Sequence, residues 1–239
     1  MQSNPAPESL ADIVIPVYYH VVYANQTFDG GYLSNQNVQD AFNLLVTGFQ
    51  NTGFTFQLEE VRRHFNPTWF NEVGISDPWP IEWDMKHSTR VGGPRTLNIW
   101  SILISHISLR KISNDGYAQF PWNYATNPDS DGVTMKYTVF PGNGHPTRSG
   151  KTLIHEAGHW LGLYHTFEGN SCFGNNDFVD DTPAQAFPTD GCPFGLDTCP
   201  QPGADPISNY MNYSFDSCLT EFTPGQINRM LNQYQQFRA

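Results

Sequence analysis

No apolar run in the 239-residue chain reaches the roughly 18 residues that a membrane-crossing helix needs. The longest candidate, residues 11–24, is interrupted by Asp12, Pro16 and His20, which excludes a helix-spanning membrane protein. Basic residues are scarce, 12 Lys and Arg against 23 Asp and Glu, for a formal net charge of −11. Such a surface repels phosphate backbones and speaks against a nucleic-acid partner. Charged residues make up only 15% and hydrophobic residues 38%, so the chain is neither a disordered polymer nor a coiled coil. Its length suits one domain with a sizeable core. No cysteine precedes Cys172, and Cys172, Cys192, Cys199 and Cys218 all lie in the last third. None of them form a C-x-x-C pair, so a zinc knuckle fits less well than two disulfides in an oxidising compartment. Residues 1–7 are polar and proline-rich, not a signal peptide. The expectation is a secreted chain whose leader has been removed, with Met1 added for expression. The Asn25-Gln26-Thr27 sequon is compatible with secretion.

There is no internal repeat, and no low-complexity tract beyond the first nine residues. Residues 13–23, rich in β-branched and aromatic side chains, read as a strand. Ser34 caps a helix in which Val38, Ala41, Phe42, Leu45 and Phe49 recur at helical spacing, and Gly53 stops it. Residues 54–61, 97–104 and 133–140 read as further strands, and 117–120 as a short edge strand. Residues 149–161 read as a helix. Strand, helix, strand, strand opens an α/β layered fold. From His165 to Thr223 glycine, proline, Asp and Cys dominate without a period, which predicts ordered loop. Thr223-Pro224-Gly225-Gln226 then has the form of a capping box with proline at the first helical position, opening a helix to about Tyr234.

The chemistry concentrates in His155-Glu156-Ala157-Gly158-His159-Trp160-Leu161-Gly162-Leu163-Tyr164-His165. On a helix His155 and His159 share one face, so both imidazoles can hold one ion at ~2.0–2.1 Å. Glu156 is angled off that face, poorly placed as a ligand but well placed to take a proton from a water at the site. Gly162 tolerates the left-handed turn that ends the helix and lets His165 return as third ligand. Three protein ligands leave a fourth position open, the mark of a catalytic site. With 8 His and 20 Gly in the chain, a chance match at all five fixed positions is on the order of 10⁻⁵.

This pattern, with Ser208-Asn209-Tyr210-Met211-Asn212-Tyr213-Ser214 downstream, resembles the metzincin zinc endopeptidases and their Met-turn. Within that clan the chain is similar to the pappalysin (cytophagalysin) family, and most of all to its secreted fungal extracellular metalloproteases. The residues that carry the resemblance are His165-Thr166-Phe167-Glu168, Val179-Asp180-Asp181-Thr182-Pro183, Gly191-Cys192-Pro193 and Asn209-Tyr210-Met211 leading to Cys218. Gly116-Tyr117-Ala118-Gln119-Phe120-Pro121 resembles the family's cleft-edge strand more loosely.

The resemblance implies His155, His159 and His165 as zinc ligands, Glu156 as general base and acid, and Met211 as the floor beneath the metal. It further implies that Tyr213 lies near the zinc and stabilises the developing oxyanion. It pairs Cys172 with Cys199 and Cys192 with Cys218, where spacing alone allows three pairings. It also implies an α/β (α+β) metzincin fold. In that fold a twisted, mostly parallel sheet carries a backing helix and an active-site helix. An irregular, disulfide-linked subdomain with the Met-turn and a C-terminal helix follows. One catalytic domain would span 1–239, divided into 1–165 and 166–239. Asn212 stands where the family usually has Asp, which predicts a softer turn. It also completes a sequon, expected buried and unglycosylated.

Glu168, Asp177, Asp180, Asp181, Asp190, Asp197 and Asp205 populate a stretch without Lys or Arg. Hard oxygen ligands in a loop suit calcium, and the family resemblance points the same way, with Asp177, Asp180 and Asp181 as candidates. Asp216 and neighbouring loop acids are expected to line the cleft just after the scissile bond and to accept a basic side chain. The reading is a secreted, monomeric zinc endopeptidase acting on protein or peptide substrates, without nucleic acid or membrane. The alternatives are a catalytically inactive zinc-binding recognition module and a non-peptide zinc amidohydrolase.

Overall fold

The computed structural model describes residues 13–73, 79–104 and 115–239. The polar N-terminal residues discussed above lie outside the described residues.

β1 (Ile13–Tyr23) is an inner strand of the sheet, and its alternate side chains Ile15, Val17, Tyr19 and Val21 are fully buried. It pairs in parallel with β2 (Phe54–Phe65) on one side and β3 (Leu97–Ile102) on the other. β3 pairs in parallel with β5 (Val133–Lys136), and β4 (Gly116–Ala118) closes the row antiparallel to β5. The order is β2-β1-β3-β5-β4. β3 is buried along its whole length, as a strand covered on both faces must be.

The expected strands are present with shifted ends. β2 runs on to Phe65, and β3 stops at Ile102. The fifth strand ends at Lys136, where Tyr137–Val139 tightens into a single 3-10 turn. Val139 and Phe140 are apolar because that turn is buried, not because the strand continues.

α1 (Asn35–Gly48) carries the Ser34 capping box and buries Val38, Ala41 and Leu45 against the sheet. The same face of the sheet receives α4 (Thr152–Trp160), which starts later than the pattern in residues 149–161 predicts. Ile154 of α4 sits so near Gly48 that any Cβ there would lie 2.6 Å from it. Tyr19, Leu45, Ile99, Leu153 and Met211 belong to this main core. The opposite face packs α2 (Pro67–Glu72) and α3 (Trp79–Thr89), which the sequence reading passes over. Phe70, Val73, Met85 and Trp100 form the core there. The signal for α2 was available: Asn66 caps it and Pro67 takes the first helical position.

Beyond α4 the chain is irregular, with turns and one short 3-10 segment until α5 (Pro224–Phe237). Two disulfides tie it, Cys172–Cys199 and Cys192–Cys218, with Cα atoms 5.3 and 6.0 Å apart. This is the pairing the family resemblance implies, and it removes the zinc-knuckle alternative. α5 begins at the expected capping box of Thr223 and Gln226.

Candidate active site

His155 and His159 stand one turn apart on α4 with Nε2 atoms 3.1 Å from each other, and Nε2 of His165 is 3.1 Å from that of His159. Two nitrogens on one tetrahedral ion at ~2.05 Å would be about 3.3 Å apart. The three rings therefore converge on one ion-sized point. Nδ1 of His155 donates to the Tyr210 carbonyl at 2.7 Å and Nδ1 of His159 to the Leu163 carbonyl at 2.7 Å. Those bonds fix the tautomer that turns each Nε2 lone pair toward the shared point. Burial, then the neighbouring His165, lowers His159 to about 3, and burial lowers His155 well below the usual histidine range. Neutral imidazole is the form that binds a metal. Among the described residues, these histidines are the only group of three or more His, Cys, Asp or Glu whose ligand atoms lie within 4.8 Å of one another.

The turn between the second and third histidine is held from outside. Gly162 has φ +98°, and a Cβ there would sit 2.7 Å from Gln233 of α5. Two arginines of that C-terminal segment satisfy carbonyls at the end of α4, which has no intrahelical donors for them. Arg238 Nε donates to Trp160 O at 3.0 Å and Arg229 Nε to Gly162 O at 2.9 Å. The Arg238 guanidinium is also paired with Asp131, at 3.0 and 3.2 Å, and stacks 3.6 Å over the Trp160 ring. Neither Arg238 nor Asp131 is singled out by the sequence reading.

The Met-turn packs beneath the histidines. Met211 is fully buried, and a Cβ on Gly158 would come within 2.5 Å of its sulfur. This explains the glycine inside α4. Gly158→Ala is expected to cost about 1–3 kcal/mol through overpacking, read as a lower urea midpoint at unchanged slope. Asn212 is hydrogen-bonded through both atoms of its amide. Its Oδ1 accepts from Tyr213 N at 2.8 Å, and its Nδ2 donates to Thr189 Oγ1 at 3.0 Å and Pro206 O at 3.2 Å. A carboxylate could not supply those two donors. Asn212 is 1% exposed, as the sequon argument expects.

Glu156 lies beside the histidine cluster at 5% exposure, and its Oε2 has no hydrogen-bond partner. Burial, with the Asp115 charge added, pushes its carboxyl up to about 8. Gly116 of β4 passes so near that a Cβ there would be 3.0 Å from Glu156 Cγ. Tyr213 packs edge-on to His165 with ring centres 4.9 Å apart. Burial, then the charges of Glu156 and Glu168, raises its hydroxyl to about 12.

The cleft has two hollows that share Gly116, Glu156 and Tyr213. One, of about 390 Å³, is bordered by Asp115, Arg148, Asp190 and Asp216. The other, of about 280 Å³, is bordered by Ala118, Phe120, Tyr164 and His165. Asp216 Oδ2 accepts from Ser149 N at 2.7 Å and Lys151 N at 2.8 Å, at the start of α4. Its Oδ1 is buried, has no hydrogen-bond partner and lies 3.6 Å from Arg148 Nη1. Arg148 also donates to Asp115 at 3.0 Å and to Ser214 O at 2.8 Å, joining the start of β4 to the end of the Met-turn. Asp115 and Arg148 are site residues that no motif announced.

The structure does not gather Asp177, Asp180 and Asp181 around one point. Asp177 accepts from Val179 N and Thr182 Oγ1, and burial raises its carboxyl to about 6. Asp181 accepts from Thr223 Oγ1 and Gly225 N at the start of α5.

A sheet of this topology, a helix bearing two histidines, a third histidine past a glycine turn and a methionine floor together define a metzincin-type metallopeptidase. Residues 97–235 match the Peptidase_M43 family, described as pregnancy-associated plasma protein-A. An extracellular metalloprotease of Colletotrichum graminicola is 41% identical over 235 residues, covering 96% of this chain and 79% of that protein. Extracellular metalloprotease 1 of Coccidioides posadasii is 40% identical, covering 100% and 83%. Among solved structures, mature mirolysin of Tannerella forsythia in complex with a cleaved peptide superposes with TM-score 0.78 at 28% identity, covering 93% of this chain and 91% of that one. The chain belongs to the pappalysin family and is a metalloendopeptidase.

Proposed function

We propose that the chain is a secreted zinc endopeptidase in which His155, His159 and His165 hold the ion and Glu156 is the general base and then the acid. The observation that carries this reading is the convergence of three Nε2 atoms beside a buried, unpartnered Glu156 oxygen. Zinc held there supplies a Lewis acid that acidifies a water and polarises a peptide carbonyl. Glu156 takes the proton of the attacking water and delivers it to the leaving amine. The Tyr213 hydroxyl stays protonated at neutral pH and donates to the developing oxyanion. Met211 and the Tyr210 carbonyl keep His155 in place through the turn.

The free edge of β4 receives the substrate as an added strand. Antiparallel addition, the more stable ladder per residue, puts the Asp115 end of β4 after the scissile bond. A basic side chain there meets the unpartnered Asp216 Oδ1, with Asp115 and Asp190 nearby. Arg148 offsets part of that charge, so arginine and lysine compete with it for the same carboxylates. Residues 1–165 and 166–239 act as the two sides of one catalytic domain, working as a monomer without nucleic acid or membrane. The relatives' names, the two disulfides and the lack, among the described residues, of a helix long and apolar enough to cross a membrane support secretion. The reading includes a calcium ion at 177–181, where Asp177 and Asp181 also accept hydrogen bonds from the loop and from the start of α5.

One experiment tests the whole. The purified chain is incubated with unfolded protein alone, with a zinc chelator and with a calcium-selective chelator, and the fragments are read by mass spectrometry. Internal cleavage abolished by the zinc chelator, with Lys or Arg enriched just after the cut, is expected. Cleavage that survives zinc removal overturns the metal assignment. A flat profile after the cut overturns the role of Asp216. Loss of cleavage in the calcium-selective sample alone supports the loop site.

A further inference from the structure

The second hollow of the cleft is unlike the first. Its outer wall is a run of rings. Phe120 stacks on Trp122 with centres 4.5 Å apart and planes at 9°, and Tyr164 tilts against both at 5.3 and 5.6 Å. Phe120 also meets the His159 ring edge-on at 5.4 Å. Behind Tyr164 stand Phe178 and the Arg229 guanidinium, 5.5 and 5.1 Å away, so the wall is braced on the side away from the cleft. Besides Glu156, Glu168 borders the hollow and is turned toward His165 Nδ1 at 3.7 Å. Among the described residues no arginine or lysine borders the hollow. Its volume of about 280 Å³ includes the space between Glu156, His159 and His165, so the part beside Phe120 and Tyr164 is left for one side chain.

We infer that this hollow is an aromatic-selecting subsite on the N-terminal side of the scissile bond, with Phe120 and Tyr164 as its specificity-determining residues. The inference rests on the peptidase reading above for its placement. β4 runs from Gly116, beside Glu156, toward Phe120. A peptide added antiparallel to β4 therefore sends its N-terminal half past Phe120. At about 3.3 Å per residue, the four steps from Gly116 to Phe120 put the ring wall within four residues before the scissile bond. A phenylalanine, tyrosine or tryptophan there meets ring edges and faces whose positions are already fixed, and it leaves the acidic hollow to the residue after the bond. The cleft then reads an aromatic-then-basic pair across the cut.

The test is a digest of a proteome-derived peptide library by the zinc-loaded chain, aligned on the cuts. An enrichment of aromatic residues by roughly threefold to tenfold, the worth of an aromatic pair, is expected at one of the four positions before the bond. Phe120→Ala should flatten that enrichment and leave the preference after the bond unchanged in the same digest. Because Phe120 touches His159, Trp122→Leu, which lies behind it, is run alongside with zinc content measured in both. Cleavage without aromatic enrichment, or enrichment retained in both variants, overturns the inference. A separate readout distinguishes it from the reading it rests on: binding of a phenylalanine peptide and its alanine counterpart to the Glu156→Ala protein by calorimetry. A severalfold preference for phenylalanine that Phe120→Ala removes supports the subsite even if no peptide is ever cut. Equal binding of the two peptides overturns it even if cleavage is robust.

Discussion

Replacing Glu156 with alanine is expected to lower kcat by about 10²–10⁴-fold, the range for removing a general acid–base group, while zinc content and melting temperature hold. The carboxyl is buried at 5% exposure, yet its Oε2 has no partner and so braces nothing. Its removal therefore costs the fold little. A carboxylate left unpaired in an interior is ordinarily a defect, and it persists where a reacting group will meet it. The loss should fall on kcat and on kcat/KM together, since in the proposed mechanism Glu156 acts on the reacting atoms and not on the binding of the substrate along β4. Glu156→Gln keeps the size and is expected to fail equally, because an amide cannot accept and return a proton. Measured turnover near the unaltered level in either variant, with contaminating protease excluded by the zinc chelator, removes Glu156 from the reaction.

The site was more legible than its supports. His155, Glu156, His159, Gly162 and His165 are each demanded by a local need of coordination, proton transfer or backbone turn. Gly162 takes a left-handed turn against α5, and Gly158, whose role the sequence did not announce, makes room for Met211. Needs of that kind leave a spaced signature in the chain. α3, on the far face, did not, although α2 carried a capping signal at Asn66 and Pro67. α3 turns Lys86, fully buried, toward Glu82 at 2.8 Å and the rings of Trp100 and Tyr117. A buried lysine breaks the apolar period by which an amphipathic helix is recognised. The strand expected over 133–140 was overread for the opposite reason. Val139 and Phe140 are apolar in a turn that happens to be core. The acidic loop was legible as a cluster of charge but not as geometry. Its carboxylates cap turns and the start of α5, and no spacing rule separates that use from ion binding.

Arg238 is the element no composition or motif suggests, and its replacement by alanine is expected to have the largest effect on stability. Its side chain is fully buried and Asp131 is 1% exposed. The pair is bidentate, and Asp131 also accepts from Trp160 Nε1 at 3.1 Å. Removing the guanidinium leaves a buried carboxylate with only Arg90, at 3.4 Å, to offset it. Breaking such a pair from one side costs about 3–5 kcal/mol, or roughly 6–20 °C of melting temperature for a chain of this size. The change should also reach the site, because the lost Nε donor held Trp160 O at the end of α4, one residue past His159. Faster loss of zinc to a competing chelator is the expected second sign. The paired variant Arg238→Met with Asp131→Asn removes both charges and should recover part of the stability, giving a cost smaller than the sum of the single changes. Strict additivity would mean that the two groups do not act as a pair, and that the segment carrying Arg238 holds the metal helix by packing alone.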